Sequence, residues 1–201
     1  QTSNIEALPP AEDYPLSATQ TGLWAIHQLD SQQLAYHMNA VFAIDGPLDL
    51  QALQEALYQL EERHEVLRTN FVIREGQPRQ IIHPPGRHAL TLSYVDWVED
   101  QVSTEETIDI HTRRFMDCGF DLEQDTLFRL QVYRLAPDRF RLLVALHHII
   151  SDAQSLAILL REWRENYAAL LAGQRAEHPR LAIQYKDYSA WQHAQLSTPA
   201  W

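Results

Sequence analysis

The sequence predicts an α+β fold, a layered α/β sandwich in which a mainly antiparallel or mixed sheet is flanked by helices. Three observations predict it. Residues 127 to 135 and 139 to 148 alternate apolar and other side chains with a period of two, joined by Ala136-Pro137-Asp138, as an antiparallel hairpin does. Leu50, Leu53, Leu57, Leu60, His64 and Leu67, and again Leu156, Leu159, Leu160, Trp163, Tyr167, Leu170 and Leu171, recur at spacings of three and four, the stripe of a half-buried helix. Strand and helix patterns interleave along the chain without an internal repeat.

The elements follow in order. Residues 1 to 15, with Pro9, Pro10 and Pro15, read as an extended lead-in or linker, so order is expected from about Leu16. Ser17 and Gln20 form a capping box ahead of a helix whose one face carries Leu23, Trp24 and His27. Met38 to Asp45 is a strand, and Gly46-Pro47 turns the chain into a helix capped by Asp49 and striped through Leu67. Phe71 to Arg74 and Arg79 to His83 are short strands around the turn Glu75-Gly76-Gln77-Pro78, and Leu90 to Asp96 is another strand. Ser103 with Glu106 repeats the capping box and opens a helix through Ile108 and Phe115. The hairpin follows, then the second striped helix, which Gly173 closes. A loop around His178-Pro179 leads to the aromatic-rich segment Tyr185 to Gln192.

Composition narrows the function classes. With 201 residues and 45% hydrophobic content, the chain can bury one sizeable core. A net charge of -11 argues against an electrostatic grip on nucleic acid or an anionic membrane, both of which need clustered Lys and Arg. The single Cys118 forms no internal disulfide, no CxxC or HxxxH pattern marks a metal, and a cytoplasmic setting fits. No apolar run approaches a membrane span, and the stretch beginning at Gln1 lacks the parts of a signal peptide; without an initiator Met, the chain reads as a fragment.

The stretch that carries chemistry is His147-His148-Ile149-Ile150-Ser151-Asp152, where an apolar strand gives way to a helix. The period of two carries His148 onto the face of Phe140, Leu142, Val144 and Leu146 and turns His147 the opposite way. Adjacent strand side chains diverge, so the pair is not a chelate, and no metal is expected.

Four separated stretches resemble the motifs of nonribosomal peptide synthetase condensation domains, members of the chloramphenicol-acetyltransferase-like acyltransferases. They are Tyr14-Pro-Leu-Ser-Ala-Thr-Gln20-Thr-Gly-Leu-Trp24, Arg63-His-Glu-Val-Leu-Arg68-Thr-Asn-Phe71, His147-His-Ile-Ile-Ser-Asp152 (family pattern HHxxxDG), and Tyr185-Lys-Asp-Tyr-Ser-Ala-Trp-Gln192. Gly46-Pro-Leu-Asp49 and Gly119-Phe-Asp-Leu122 add weaker agreement. The resemblance implies a two-lobed domain with a tunnel between its lobes. Residues 16 to 175 would form the N-terminal lobe and residues 176 to 201 a crossover toward a C-terminal lobe absent from this chain, with Trp201 near the crossing point; the lobe alone should be inactive.

The implied reaction is aminolysis of a carrier-bound acyl or peptidyl thioester by the amine of a carrier-bound aminoacyl thioester. No cofactor is bound directly; the phosphopantetheine arms of upstream and downstream carrier proteins are the substrate handles, and adjacent synthetase domains are partners. His148 would be catalytic, orienting the amine and assisting its proton transfer; a free α-amine titrates at about 7.7 to 8.0, so much of the rate can come from positioning. His147, Asp152, Ala153 and Arg68 would support the site. Asp152 would shape the turn through an ion pair, with Arg68 or an arginine of the second lobe as partner. The helix start, with Ala153, Gln154 and Ser155, supplies candidate channel and oxyanion groups.

Each residue also has an ordinary reading. Asp152 suits a first helical turn, with Ser151 and Gln154 as a further capping box, and Arg63 suits a helix C-terminus on a solvated face. Cys118 has no base beside it in sequence and reads as a small buried apolar residue; Trp24, Trp163, Tyr188 and Trp191 read as packing. Ala153 stands where the family has glycine, which motivates two alternatives within the family, an epimerising domain and a catalytically weak domain that recruits carriers or tailoring enzymes. A coenzyme A-dependent acyltransferase shares the His and Asp element, whereas heterocyclisation is disfavoured because DxxxxD would replace it.

Overall fold

The computed structural model describes residues 5–31, 33–87, 90–100 and 104–197. Strand β1 (Tyr14–Pro15) leads into α1 (Ala18–Leu29), where the Ser17 hydroxyl accepts from the Gln20 N–H and the Gln20 side chain accepts from the Ser17 N–H. β2 (His37–Asp45) and α2 (Leu50–Arg63) follow, the latter capped by Asp49. A 3-10 turn, Glu65–Arg68, delivers the hairpin β3 (Thr69–Arg74) and β4 (Gln77–Ile82). Then come β5 (Leu92–Asp96), α3 (Trp97–Asp100) and α4 (Glu105–Met116). β6 (Phe128–Ala136), β7 (Arg139–His147), α5 (Ala153–Leu171) and α6 (Tyr185–Ser197) complete the described fold.

The strands form two sheets. An antiparallel three-stranded sheet runs β1-β4-β3, and a four-stranded sheet runs β2-β7-β6-β5. The larger is mixed, because β5 and β6 run parallel across the α3–α4 crossover while the other pairs are antiparallel. Helices cover both of its faces. Leu57 and Leu60 of α2 and Leu159 and Trp163 of α5 share a core with Leu142, Val144 and Leu146 of β7. On the other face Leu143 packs with Trp97, Ile108 and Tyr133. The expected α+β sandwich with a mixed, helix-flanked sheet is therefore present.

Several boundaries differ from the sequence reading. Order begins before Leu16, because Tyr14 is buried and pairs with Gln80, and the Leu8 N–H donates to Asp187 of α6. The helix striped through Leu67 stops at Arg63; His64 is extended, which lets its ring reach Glu162 on α5. The hairpin turn is two residues, Glu75 (φ 51) and Gly76 (φ 74), since paired left-handed residues match the twist of adjoining strands, and Gln77 and Pro78 belong to β4. Ser103 lies outside the described residues, as do residues 1–4 and Trp201; the helix is capped by Thr104 instead, which accepts from the Thr107 N–H. Cys118 is exposed rather than buried, and Arg129, which lies over the Phe120 ring, donates to its sulfur at 2.8 Å.

Candidate active site

Strand β7 is the second of four strands, paired with β2 and β6 along its length, so it ends at a fixed place. The His147 N–H donates to Leu127 O and the His148 N–H to Tyr36 O, at 3.0 and 2.8 Å. The chain then turns through residues 148–150 into α5. The turn inverts the burial expected from period-two alternation. His147 is the buried member, at 2% exposure, and His148 is exposed. The physical reason is that both faces of β7 are covered, so burial does not follow the alternation, and His148 has already left the strand.

His147 is held from all sides. Its Nδ1 accepts from the Ile149 N–H at 3.0 Å, which closes the turn and leaves the proton of the neutral ring on Nε2. Its ring meets those of His37, opposite it on β2, and His27 of α1 at centroid distances of 5.7 and 5.8 Å, with Phe120 at 6.2 Å. Burial pushes its pKa down to about 3, and His37, His27 and His148 add to the shift. His147 is thus neutral and structural at neutral pH.

His148 instead lines a cavity of about 360 Å³, walled by α1, the α2 exit, the turn, α5 and α6. Leu23, Val66, Ile158 and Leu159 make much of the wall apolar, and Thr19, His64, Asp152, Ser155 and Tyr185 add polar groups. Gln20, 1% exposed, ties the three elements behind it together: its side chain bonds the Ser17 N–H, the Ser189 hydroxyl of α6 and the Ile149 carbonyl of the turn. The sequence marked Gln20 only as half of a capping box, and its reach across 129 and 169 positions left no local signal.

Asp152 caps α5. Its Oδ1 accepts from both the N–H and the hydroxyl of Ser155 at 2.7 Å, and these bonds hold its carboxyl below the usual range. Ser151 is not the cap; its hydroxyl donates to Asp152 O. Among the described residues Asp152 makes no ion pair, and Arg68 is turned elsewhere, donating to the carbonyls of Glu61 and His83 and lying 3.9 Å from Glu65. Of the two partners expected for Asp152, Arg68 is therefore not the one: Asp152 caps its helix and Arg68 clamps backbone carbonyls. Of the three candidate channel residues, Ser155 lines the cavity and Ala153 and Gln154 are exposed beside it. The Ser155 N–H is consumed by the cap, so it is not an oxyanion donor. Ala153 keeps a negative φ, since Glu75 is the sole described non-glycine residue with a positive one.

His64, one of the residues lining the cavity, is bonded to a group that the sequence did not suggest. Glu162, 5% exposed, accepts from Arg63 Nε at 3.0 Å and contacts His64 Nε2 at 2.7 Å. Arg63 is therefore a paired residue and not part of a solvated face. Burial raises the Glu162 carboxyl, but His64 and Arg63 outweigh it and hold the pKa below the usual value. Burial lowers His64 against the pull of Glu162. The described residues contain no cluster of three or more groups able to hold a metal, and no described helix is long and apolar enough to cross a membrane.

The Condensation domain family matches residues 10–201. The chain belongs to the condensation-domain family. It is 36% identical over 193 residues to chondramide synthase cmdD of Chondromyces crocatus, an alignment covering 96% of this chain and 5% of the synthase. The complex of the X-domain and OxyB from teicoplanin biosynthesis superposes at a TM-score of 0.83 with 28% identity, covering 96% of this chain and 41% of that one. The first condensation domain of the calcium-dependent antibiotic synthetase, at 23% identity and a TM-score of 0.80, shares the fold over 94% of this chain and 44% of its own. This condensation-domain chain thus spans less than half of either solved chain.

Proposed function

We propose that this chain supplies the histidine-bearing lobe of a domain that forms amide bonds in nonribosomal peptide synthesis. The amine nitrogen of a carrier-bound aminoacyl group attacks the carbonyl carbon of a carrier-bound acyl or peptidyl thioester. A C–N bond forms, the C–S bond breaks, the pantetheine thiol leaves, and the amine gives up a proton. The observation that carries the reading is the division of labour at the end of β7: His147 is locked and neutral, while His148 faces the cavity beside the capped turn. His148 holds the amine in line and takes part in moving its proton. Carrier proteins bearing phosphopantetheine arms, adjacent synthetase domains and a second lobe are the partners, and the setting is the cytoplasm.

A second reading has its own support. Ala153 replaces the motif's glycine, and the X-domain, whose solved complex is with OxyB, is among the structural neighbours. This reading makes the domain a platform that recruits another protein without forming amides. Intact-protein mass spectrometry on the complete domain with loaded donor and acceptor carriers separates the two. An acyl-aminoacyl mass on the acceptor with wild type, absent with His148→Ala, is the expected result. No such mass across several pairs, despite measurable carrier binding, would transfer the assignment to recruitment.

A further inference from the structure

The cavity beside His148 has a second imidazole in its wall, and its chemistry is set by a buried carboxylate. His64 Nε2 lies 2.7 Å from Glu162, which Arg63 holds from the other side at 3.0 Å. The carboxylate accepts, so Nε2 carries the proton and Nδ1 is left with a lone pair. Among the described residues no group hydrogen-bonds that Nδ1. Most other polar groups of the wall already have protein partners. Asp152 and Ser155 bond each other, Tyr185 bonds Ser17, and Gln20 bonds Ser17, Ser189 and Ile149. The aliphatic Leu23, Val66, Ile158 and Leu159 surround what remains.

We propose that His64, oriented by Glu162, is a specificity-determining acceptor that selects substrates whose apolar body carries an N–H or O–H group within reach of the His148 cavity. As the donor, an aminoacyl thioester is favoured over the same acyl chain lacking the amine. The reason is an asymmetry of hydrogen bonding: an acceptor removed from water and left without a donor costs free energy, whereas one that finds its donor does not. Burial lowers the His64 pKa against the pull of Glu162, and the Arg63 guanidinium works in the same direction as burial, which favours a neutral ring that meets the substrate as a directional acceptor. This inference rests on the amide-forming reading for its substrate class.

The test uses the complete domain, wild type and with His64→Leu or His64→Gln. Gln can donate to Glu162 and present its carbonyl to the cavity, whereas Leu can do neither. Two readouts run in parallel: turnover with a leucyl-loaded and a 4-methylpentanoyl-loaded donor carrier against one common aminoacyl-loaded acceptor carrier, and calorimetric affinity for donor carriers bearing the same two groups through a stable amide in place of the thioester. Wild type should prefer the leucyl group by about tenfold to a hundredfold. His64→Leu should bring that ratio to near one by weakening leucyl alone, and His64→Gln should restore most of it. Equal losses on both groups, or an unchanged ratio, would overturn the role of His64. Binding preference that follows His64 while no variant turns over either donor would leave the proposal standing and remove the amide-forming reading.

Discussion

His147 and His148 are covalent neighbours of one residue type, and the fold places them in opposite media. The His147 ring sits among His27, His37 and Phe120 with its Nδ1 engaged by backbone; His148, one residue on, has left the strand and stands exposed at a cavity. What differs is not the side chain but how many protein atoms replace its water. A ring that has lost its water becomes part of the scaffold, and one that keeps access remains available for chemistry.

The largest expected effect breaks the exposed member. His148→Ala in the complete domain should lower turnover on the order of 10²-fold or more, while shifting stability by less than about 0.5 kcal/mol, as expected for an exposed side chain. Steady-state rates with loaded carriers, paired with urea unfolding, check it. A loss of stability matching that of a core substitution would erase the distinction between the two histidines.

The buried member should respond in the reverse sense. His147→Ala removes a packed ring and leaves the Ile149 N–H without its acceptor, so the expected cost is about 3 kcal/mol of unfolding free energy. His147→Gln, which can still accept that N–H, should recover part of it. Denaturant melts at constant pH decide this, and the Gln variant separates the lost hydrogen bond from the lost volume.

A pH titration sharpens the same contrast without mutation. The folded pKa of His147 is near 3, below the unfolded value of about 6.5, so between these values the unfolded state binds the extra proton. Its contribution to stability is complete above about pH 6.5 and is lost as pH falls toward about 3, at up to about 1.4 kcal/mol per pH unit. Burial also lowers His27 and His37, which steepens the slope in the same direction. Unfolding free energy measured between about pH 8 and about pH 5 should be flat at first and then decline. With His147→Gln the decline should be shallower.

How much of this was legible depends on range. The Ser17–Gln20 box, the β6–β7 hairpin and the stripe of α5 are readable because each is written within a few residues. The divergence of His147 and His148 follows from the alternation of side chains along a strand, but which of them is buried does not, because that depends on what α1, β2 and the turn bring over each face. The Arg63–Glu162–His64 cluster joins positions 98 and 99 residues apart, and Gln20 reaches to Ser189; nothing in a local window encodes such pairings. The helix break at His64 was hidden for the same reason, since Leu67 continues the apolar spacing while the backbone has already turned. Arg68 and Asp152 sat in stretches resembling the family's motifs, yet each found a partner within its own neighbourhood.

The smallest expected effect concerns Ala153, the one departure from the motif's glycine. It is the first residue of α5, exposed, with a negative φ, and it does not line the His148 cavity. Its methyl group therefore relieves no strain and occupies no space in that cavity. Ala153→Gly should cost less than about 1 kcal/mol, the helix-propensity difference between the two residues, and leave turnover within about twofold. The substitution is a clean probe because the fold barely registers it: a rise in rate well beyond twofold would place the methyl on the substrate's path in the complete domain. An unchanged rate in an active domain would separate the missing glycine from any loss of catalysis, and the recruitment reading would then lose the observation in this chain that favours it.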